Sequence, residues 1–399
     1  MRKTSYLEAR DVQGVVDRRQ WKMRVTYQQL LKRIAKPILG NSTLESIIAE
    51  DGKVGLRRCF KIKSRALKID QEFRQSKINL ESFCRSYFEH VAPVTSPLVL
   101  ISQIQRSGGS LLSQLFDGHP ELHAHPHELK IGNPKKYIWP QIDLKDDPER
   151  WFEILFEDIV VRHLRHGYKK MEKYTDTFLF IFLPALQREM FFKYLNSVKV
   201  NTIRDVFDAY MTSYFGAWVN NQNLLGQKKF VTGFTPRLAT LKENMKSYFD
   251  IYPDGRLISV IRDPKNWFPS AVRHNLEKYG DVSQALNQWN ESAQGMLWNK
   301  ERYGDRVCII NFEDLIKRTE AVMRYLAEFL NIQFDDILVT PTYNKTPIKP
   351  NTSFKLEDPG IIVSVLNRYK TLSQEELKVI DEMTGALYAK VLGVVTSIP

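Results

Sequence analysis

The chain has 399 residues, 43% of them hydrophobic and 12% aromatic, enough to bury about three quarters of its unfolded surface, which excludes a disordered polymer. Its net charge of +12 is unevenly spread: residues 1–97 hold 20 basic and 10 acidic side chains, leaving 38 and 36 for the rest. That split excludes a binder that grips a polyanion along its whole length and sets a basic N-terminal segment ahead of a nearly neutral body.

Three cysteines (Cys59, Cys84, Cys308), odd in number and far apart, argue against a disulfide framework or a zinc site and for a reducing compartment. No apolar run approaches the ~18 residues of a membrane span, and Met1-Arg2-Lys3 is followed by no apolar h-region. The expectation is therefore a cytoplasmic protein without a transmembrane segment.

Residues 1–96 carry amphipathic stretches such as Tyr27 to Ile38, interrupted by basic pieces from Arg57 to Lys68 and closed by Ala92-Pro93-Val94-Thr95-Ser96-Pro97. They read as a basic, mainly helical extension ending near Ser96, suited to an anionic surface or another subunit, with a second domain over 97–399. Next, Leu98 to Ile101 is a continuous apolar run of the kind found in strands buried on both faces. It feeds Gln105-Arg106-Ser107-Gly108-Gly109-Ser110, after which Leu111, Leu112, Leu115 and Phe116 recur at helical spacing.

Further strands are predicted at Lys229–Phe234, Arg256–Ile261 and Arg306–Asn311. Helical patterns cover Pro148–Arg165, Ile203–Asn220, Leu238–Phe249, Val282–Tyr303 and Glu313–Leu330. This alternation predicts an α/β fold with an open parallel sheet and helices on both faces. Ligands of such sheets bind beyond the carboxyl ends of the strands, where Arg106 to Ser110 and Arg262 to Ser270 fall.

Set on the Walker pattern, Gly108 and Ser110 match, Gln103 replaces the first glycine, and Gly109 stands in the lysine position. A glycine turn opening a helix still aims backbone N–H groups at an anion. Without the lysine that neutralises the β and γ phosphates, ATP or GTP chemistry loses its support. Arg106 offers a fork of donors instead. The second site is plainer: Arg262 ends a strand, Pro264 suits the first helical position, and Ser270 lies about two turns on, so a guanidinium and a hydroxyl form an anion receptor. Arg273 and His274 lie one turn further.

Gln105 to Leu112 followed by Leu115-Phe116-Asp117-Gly118-His119-Pro120 resembles the 5′-phosphosulfate loop and first helix of sulfotransferases that use 3′-phosphoadenosine 5′-phosphosulfate (PAPS). Ile258 to Ser270, with Arg262-Asp263-Pro264, is similar to that family's second signature. Asn311-Phe312-Glu313-Asp314-Leu315 and Asn351-Thr352-Ser353-Phe354 extend the likeness over roughly residues 97–395. The resemblance implies a three-layer, P-loop NTPase-like fold and PAPS as co-substrate, with no metal. It implies that Arg106, Ser107, Gly108, Gly109, Ser110 and Leu111 hold the 5′-phosphosulfate, and that Arg262 and Ser270 hold the 3′-phosphate.

Sulfuryl transfer to a hydroxyl or amine requires a base near the acceptor. By the same resemblance Glu128 is the first choice, and His127 and His125 are alternatives with a suitable unperturbed pKa. His123, His125 and His127 alternate, so an extended backbone would set them on one face; with no carboxylate or cysteine spaced to complete a set, a metal site is not expected. His119 reads as structural and Glu121 as a solvated turn residue.

The aromatic-rich region 129–230 would shape the acceptor pocket, for a carbohydrate, a lipid or another small metabolite. Phe207, Tyr210, Met211, Tyr214 and Trp218, at helical spacing, read as a packed face. Two other readings fit parts of this pattern: a small-molecule kinase with a degenerate P-loop, and a non-catalytic nucleotide-binding scaffold with a basic docking segment.

Overall fold

The structure is a computed structural model. It describes residues 92–130, 138–157, 160, 180–348 and 363–395, with scattered positions between 64 and 86. By internal contacts the chain divides into two units, Met1–His90 and Val91–Pro399. In the first, the described positions between 64 and 86 are helical; the Tyr27 to Ile38 helix falls outside the described residues.

The second unit is an α/β fold on a parallel sheet of order β2-β3-β1-β4-β5 with helices on both faces. In chain order it contains β1 (Leu98–Ile101), α1 (Gly109–Phe116), β2 (Leu122–Glu128), α2 (Pro148–Leu155), α3 (Pro184–Ser197), α4 (Ile203–Ala217) and β3 (Phe230–Phe234). It continues through α5 (Lys242–Ile251), β4 (Arg256–Ile261), α6 (Pro264–His274), α7 (Leu276–Tyr279), α8 (Val282–Tyr303) and β5 (Val307–Asn311). It closes with α9 (Phe312–Lys317), α10 (Thr319–Phe329) and α11 (Gln374–Leu392).

All four residues of β1 have zero exposure, as a central strand covered on both faces requires. Leu98 pairs with Val231 of β3 and Val99 with Arg256 of β4, so the turns after β1 and β4 emerge side by side. One layer of the core joins Leu112, Leu115 and Phe116 of α1 to Ile101, Ile258, Ile310 and Leu326. Burying each such side chain contributes about 1.5–3 kcal/mol.

Sequence and structure part at three places. The edge strand β2 was not expected as a strand: three histidines and a proline in seven residues give it no apolar alternation, and pairing with β3 holds it nonetheless. The pattern Glu313–Leu330 divides into α9 and α10 at Arg318. Helices α3 and α11 were not singled out, although Ser373 and Glu376 form a capping box at the start of α11. Of the predicted helix over Pro148–Arg165, α2 covers Pro148–Leu155; Phe156 and Glu157 are not helical, and residues 158, 159 and 161–165 lie outside the described ones. Among the described residues no helix is long and apolar enough to cross a membrane.

Candidate active site

The turn between β1 and α1 is shaped by two residues with positive φ, Arg106 at 69° and Gly108 at 98°. Gly108 is the N-cap of α1 and caps it with no side chain. The first N–H groups of the helix, from Gly109 on, thus point out of the turn with the positive end of the helix behind them. Gly109 is required by packing: a Cβ there would collide with the Gln103 amide and the Phe234 ring. A Cβ on Gly108 would sit 2.5 Å from the Phe312 ring.

The residues that replace the Walker pattern's usual ones are built into the frame. Gln103, 1% exposed, accepts from the Val260 N–H at 3.3 Å. The Gln105 carbonyl accepts from Trp267 Nε1 at 2.8 Å, and its side-chain oxygen from the Tyr279 hydroxyl at 3.1 Å. Ser107 is buried with its hydroxyl lacking a partner among the described residues; Ser110 and Leu111 are half-buried.

The second predicted receptor meets the first. Arg106 Nε donates to Ser270 Oγ at 3.3 Å, and Arg262 Nη1 donates to the Arg106 carbonyl at 2.8 Å. Arg262, 3% exposed, also donates from Nη2 to the Val365 carbonyl at 3.1 Å and lies 4.4 Å over the Phe312 ring. Its Nε is buried without a partner among the described residues, and a buried donor left unmade is costly. Burial, then the charges of Arg368 and Arg106, push the Arg262 guanidinium down to about 9.

Arg368, buried between β5 and α11 in sequence, was missed by sequence reasoning. Burial and then the charges of Arg106 and Arg273 push it down to about 10. Arg273 and His274 are exposed at the end of α6. Arg106, Arg262, Arg273 and Arg368 act on one another's charge, with Glu313 and Asp263 offsetting part of it at Arg262, and a multiply charged anion would relieve their mutual repulsion.

At the end of β2, Glu128 pairs in register with Phe234, is about one third exposed, and faces Lys130 Nζ at 3.8 Å. The His127 side chain turns inward, 5% exposed, and burial pushes it down to about 4. His125 and His127 converge on Glu157, a fully buried carboxylate 30 residues on from His127. His125 Nε2 is 3.0 Å from Glu157 Oε1 and His127 Nε2 is 3.6 Å from Oε2. Burial alone would raise Glu157, but His125 and His127 outweigh it and hold the carboxyl well below its ordinary range. The carboxylate that the sequence did not supply by spacing is therefore supplied by folding.

His123 points elsewhere, packing on the Phe215 ring at 4.9 Å, and burial with the Lys228 charge pushes it down to about 3. The three histidines do not act as one face, because the β2–β3 register shifts between Ala124 and Glu128. His119 is structural as expected, with Nε2 against the Gln333 carbonyl at 2.9 Å. Glu121 is more than a solvated turn residue: it pairs with Lys229 at 2.7 Å and accepts from the Gln333 N–H. Phe207, Tyr210, Met211, Tyr214 and Trp218 are all buried, as a packed face requires.

The protein-tyrosine sulfotransferase A of Caenorhabditis elegans is 25% identical over 248 residues, 61% of this chain and 52% of the relative. The chain thus spans about half the length of that relative. A sulfotransferase domain from the curacin biosynthetic pathway superposes with a TM-score of 0.42 at 18% identity, covering 73% of this chain and 98% of that one. A mouse sulfotransferase complexed with PAP gives a TM-score of 0.33 at 11% identity, over 78% and 88%. A model of the sulfotransferase family matches residues 97–336, from the residue before β1 to beyond α10, and with more than half of its length so matched the chain belongs to the sulfotransferase family.

Proposed function

We propose that the chain moves the sulfuryl group of PAPS to a hydroxyl or amine of an acceptor. The observation that carries this reading is the joining of two anion receptors: Arg106 reaches Ser270, and Arg262 holds the Arg106 carbonyl. A nucleotide with phosphate at both the 5′ and the 3′ position has the charge such a pair is built to meet. The helix N-terminus from Ser107 to Leu111 receives the 5′-phosphosulfate, while Arg262, Ser270 and Arg368 receive the 3′-phosphate.

In the transfer, the acceptor oxygen bonds to sulfur as the bond from sulfur to the bridging phosphate oxygen breaks. The acceptor proton passes to the Glu128 carboxylate, which is open to solvent where His127 is not. Adenosine 3′,5′-bisphosphate leaves, and Arg106 with the backbone N–H groups of the turn meets the charge that develops on it. No group in this scheme depends on a metal ion.

The test is calorimetric binding of PAPS and of ATP to the full chain. PAPS is expected to bind at least tenfold more tightly than ATP, with that preference lost in Arg262→Ala. Equal affinities, or an unchanged preference in the variant, would overturn the reading. Labelled PAPS offered with carbohydrate, lipid, small-phenol and tyrosine-peptide acceptors then reads which class is sulfated.

A further inference from the structure

We propose that His125, His127 and Glu157 form a buried, structural site for a divalent metal of the zinc type, separate from the sulfuryl-transfer chemistry. The argument begins with the protons of His125. Its Nδ1 lies 2.8 Å from the His127 carbonyl oxygen, which can only accept, so Nδ1 carries a proton. In the neutral ring Nε2 then presents a lone pair. That lone pair faces Glu157 Oε1 at 3.0 Å, and a carboxylate has lone pairs only. Two acceptors at that distance repel, so a cation stands between them, either a second proton on the ring or a metal ion.

The remaining geometry suits a metal. Around tetrahedral zinc, donors at about 2.0–2.1 Å from the ion lie about 3.3 Å apart; each imidazole faces its own carboxylate oxygen, His125 Nε2 at 3.0 Å from Oε1 and His127 Nε2 at 3.6 Å from Oε2, so both oxygens of Glu157 border the site. All three donors fall within 4.8 Å of one another. The Tyr214 hydroxyl lies 3.3 Å from His127 Nε2.

Supporting partners are in place for His125 and Glu157. The backbone carbonyl fixes the His125 tautomer, as it commonly does for a metal-bound imidazole. The Lys130 N–H, at 2.9 Å from Oε2, and the Tyr210 hydroxyl, at 3.4 Å from Oε1, anchor the carboxylate from behind. Two nitrogen donors with one carboxylate, buried and closed, favour zinc over the oxygen-seeking magnesium or calcium. The site would tie the edge strand β2 to the segment after α2 and to α4, and would leave Glu128 free to handle the acceptor proton.

The experiment is metal analysis of the untagged full chain after gel filtration. About one zinc per chain is expected, with Glu157→Gln and His125→Ala each losing most of it and His123→Ala retaining it. Chelation should lower the thermal midpoint and added zinc restore it; cobalt loading should give the visible absorption of a tetrahedral site. Wild-type chain that holds no metal, and whose thermal midpoint neither chelator nor zinc alters, would overturn the proposal and leave a protonated His125 as the cation facing Glu157. Because these readouts use wild-type protein, a variant that fails to fold does not decide the matter, and none of them depends on PAPS being the donor.

Discussion

Arg262 donates to the backbone carbonyl of Arg106 at 2.8 Å, so the end of β4 holds the turn that follows β1. The same guanidinium reaches the Val365 carbonyl, and its Nε has no partner among the described residues. One planar fork thus sets the position of a loop and retains a donor for an anion. A lysine carries the charge and lacks the fork.

Arg262→Lys should therefore weaken binding of adenosine 3′,5′-bisphosphate by about ten- to hundredfold, a loss of roughly 1.4–2.8 kcal/mol, while binding of adenosine 5′-monophosphate changes less. Calorimetry with both nucleotides separates the two effects. An equal loss for both would mean that Arg262 serves only to position the turn.

Gly108 and Gly226 share nearly the same φ, 98° and 95°, in different surroundings. A Cβ at Gly226 meets nothing within 4 Å, and one at Gly108 meets the Phe312 ring at 2.5 Å. Gly226→Ala should cost about 1–2 kcal/mol, the strain of a left-handed alanine. Gly108→Ala should cost a further ~1–3 kcal/mol for overpacking and should abolish nucleotide binding; urea denaturation of the two variants tests the difference.

Much of this site can be read in the residue order, and the reason is local. A buried strand, a glycine turn and a helix are adjacent in the chain, so Leu98 to Phe116 announces its own geometry, as does Arg262-Asp263-Pro264 after β4. Glu157 and Arg368 cannot be found that way. Each reaches its neighbours through tertiary folding alone: Glu157 from just beyond α2 back to β2, and Arg368 from beyond β5 to the field of Arg106. Nothing in the residues beside them signals the partner. The edge strand β2 was illegible for another reason, since its histidines break the apolar alternation by which strands are recognised.

Arg368 should trade stability for binding. Burial and the charges of Arg106 and Arg273 oppose its own charge, and it in turn opposes that of Arg262. Arg368→Met should leave the thermal midpoint of the ligand-free protein unchanged or higher, and should shrink the rise that adenosine 3′,5′-bisphosphate produces. A lower ligand-free midpoint with an undiminished ligand effect would show a packing role instead.

Glu313 sets a pH dependence whose sign can be worked out. Burial pushes its carboxyl up to about 7, against the pull of Arg262 and with the added repulsion of Asp263; the Asp263 N–H lies 3.3 Å from Oε1. The unfolded chain ionises this group near its ordinary value of 4.5. Between those two values the folded state binds more protons than the unfolded one, so the contribution of Glu313 to stability falls as pH rises from 4.5 to 7 and is constant above. Glu313→Gln removes that loss. Relative to the parent, the variant should gain little at pH 4.5 and on the order of 2–3 kcal/mol by pH 8, read from urea denaturation at both pH values. A difference that stays flat between them would mean that Glu313 titrates alike in the folded and unfolded chain.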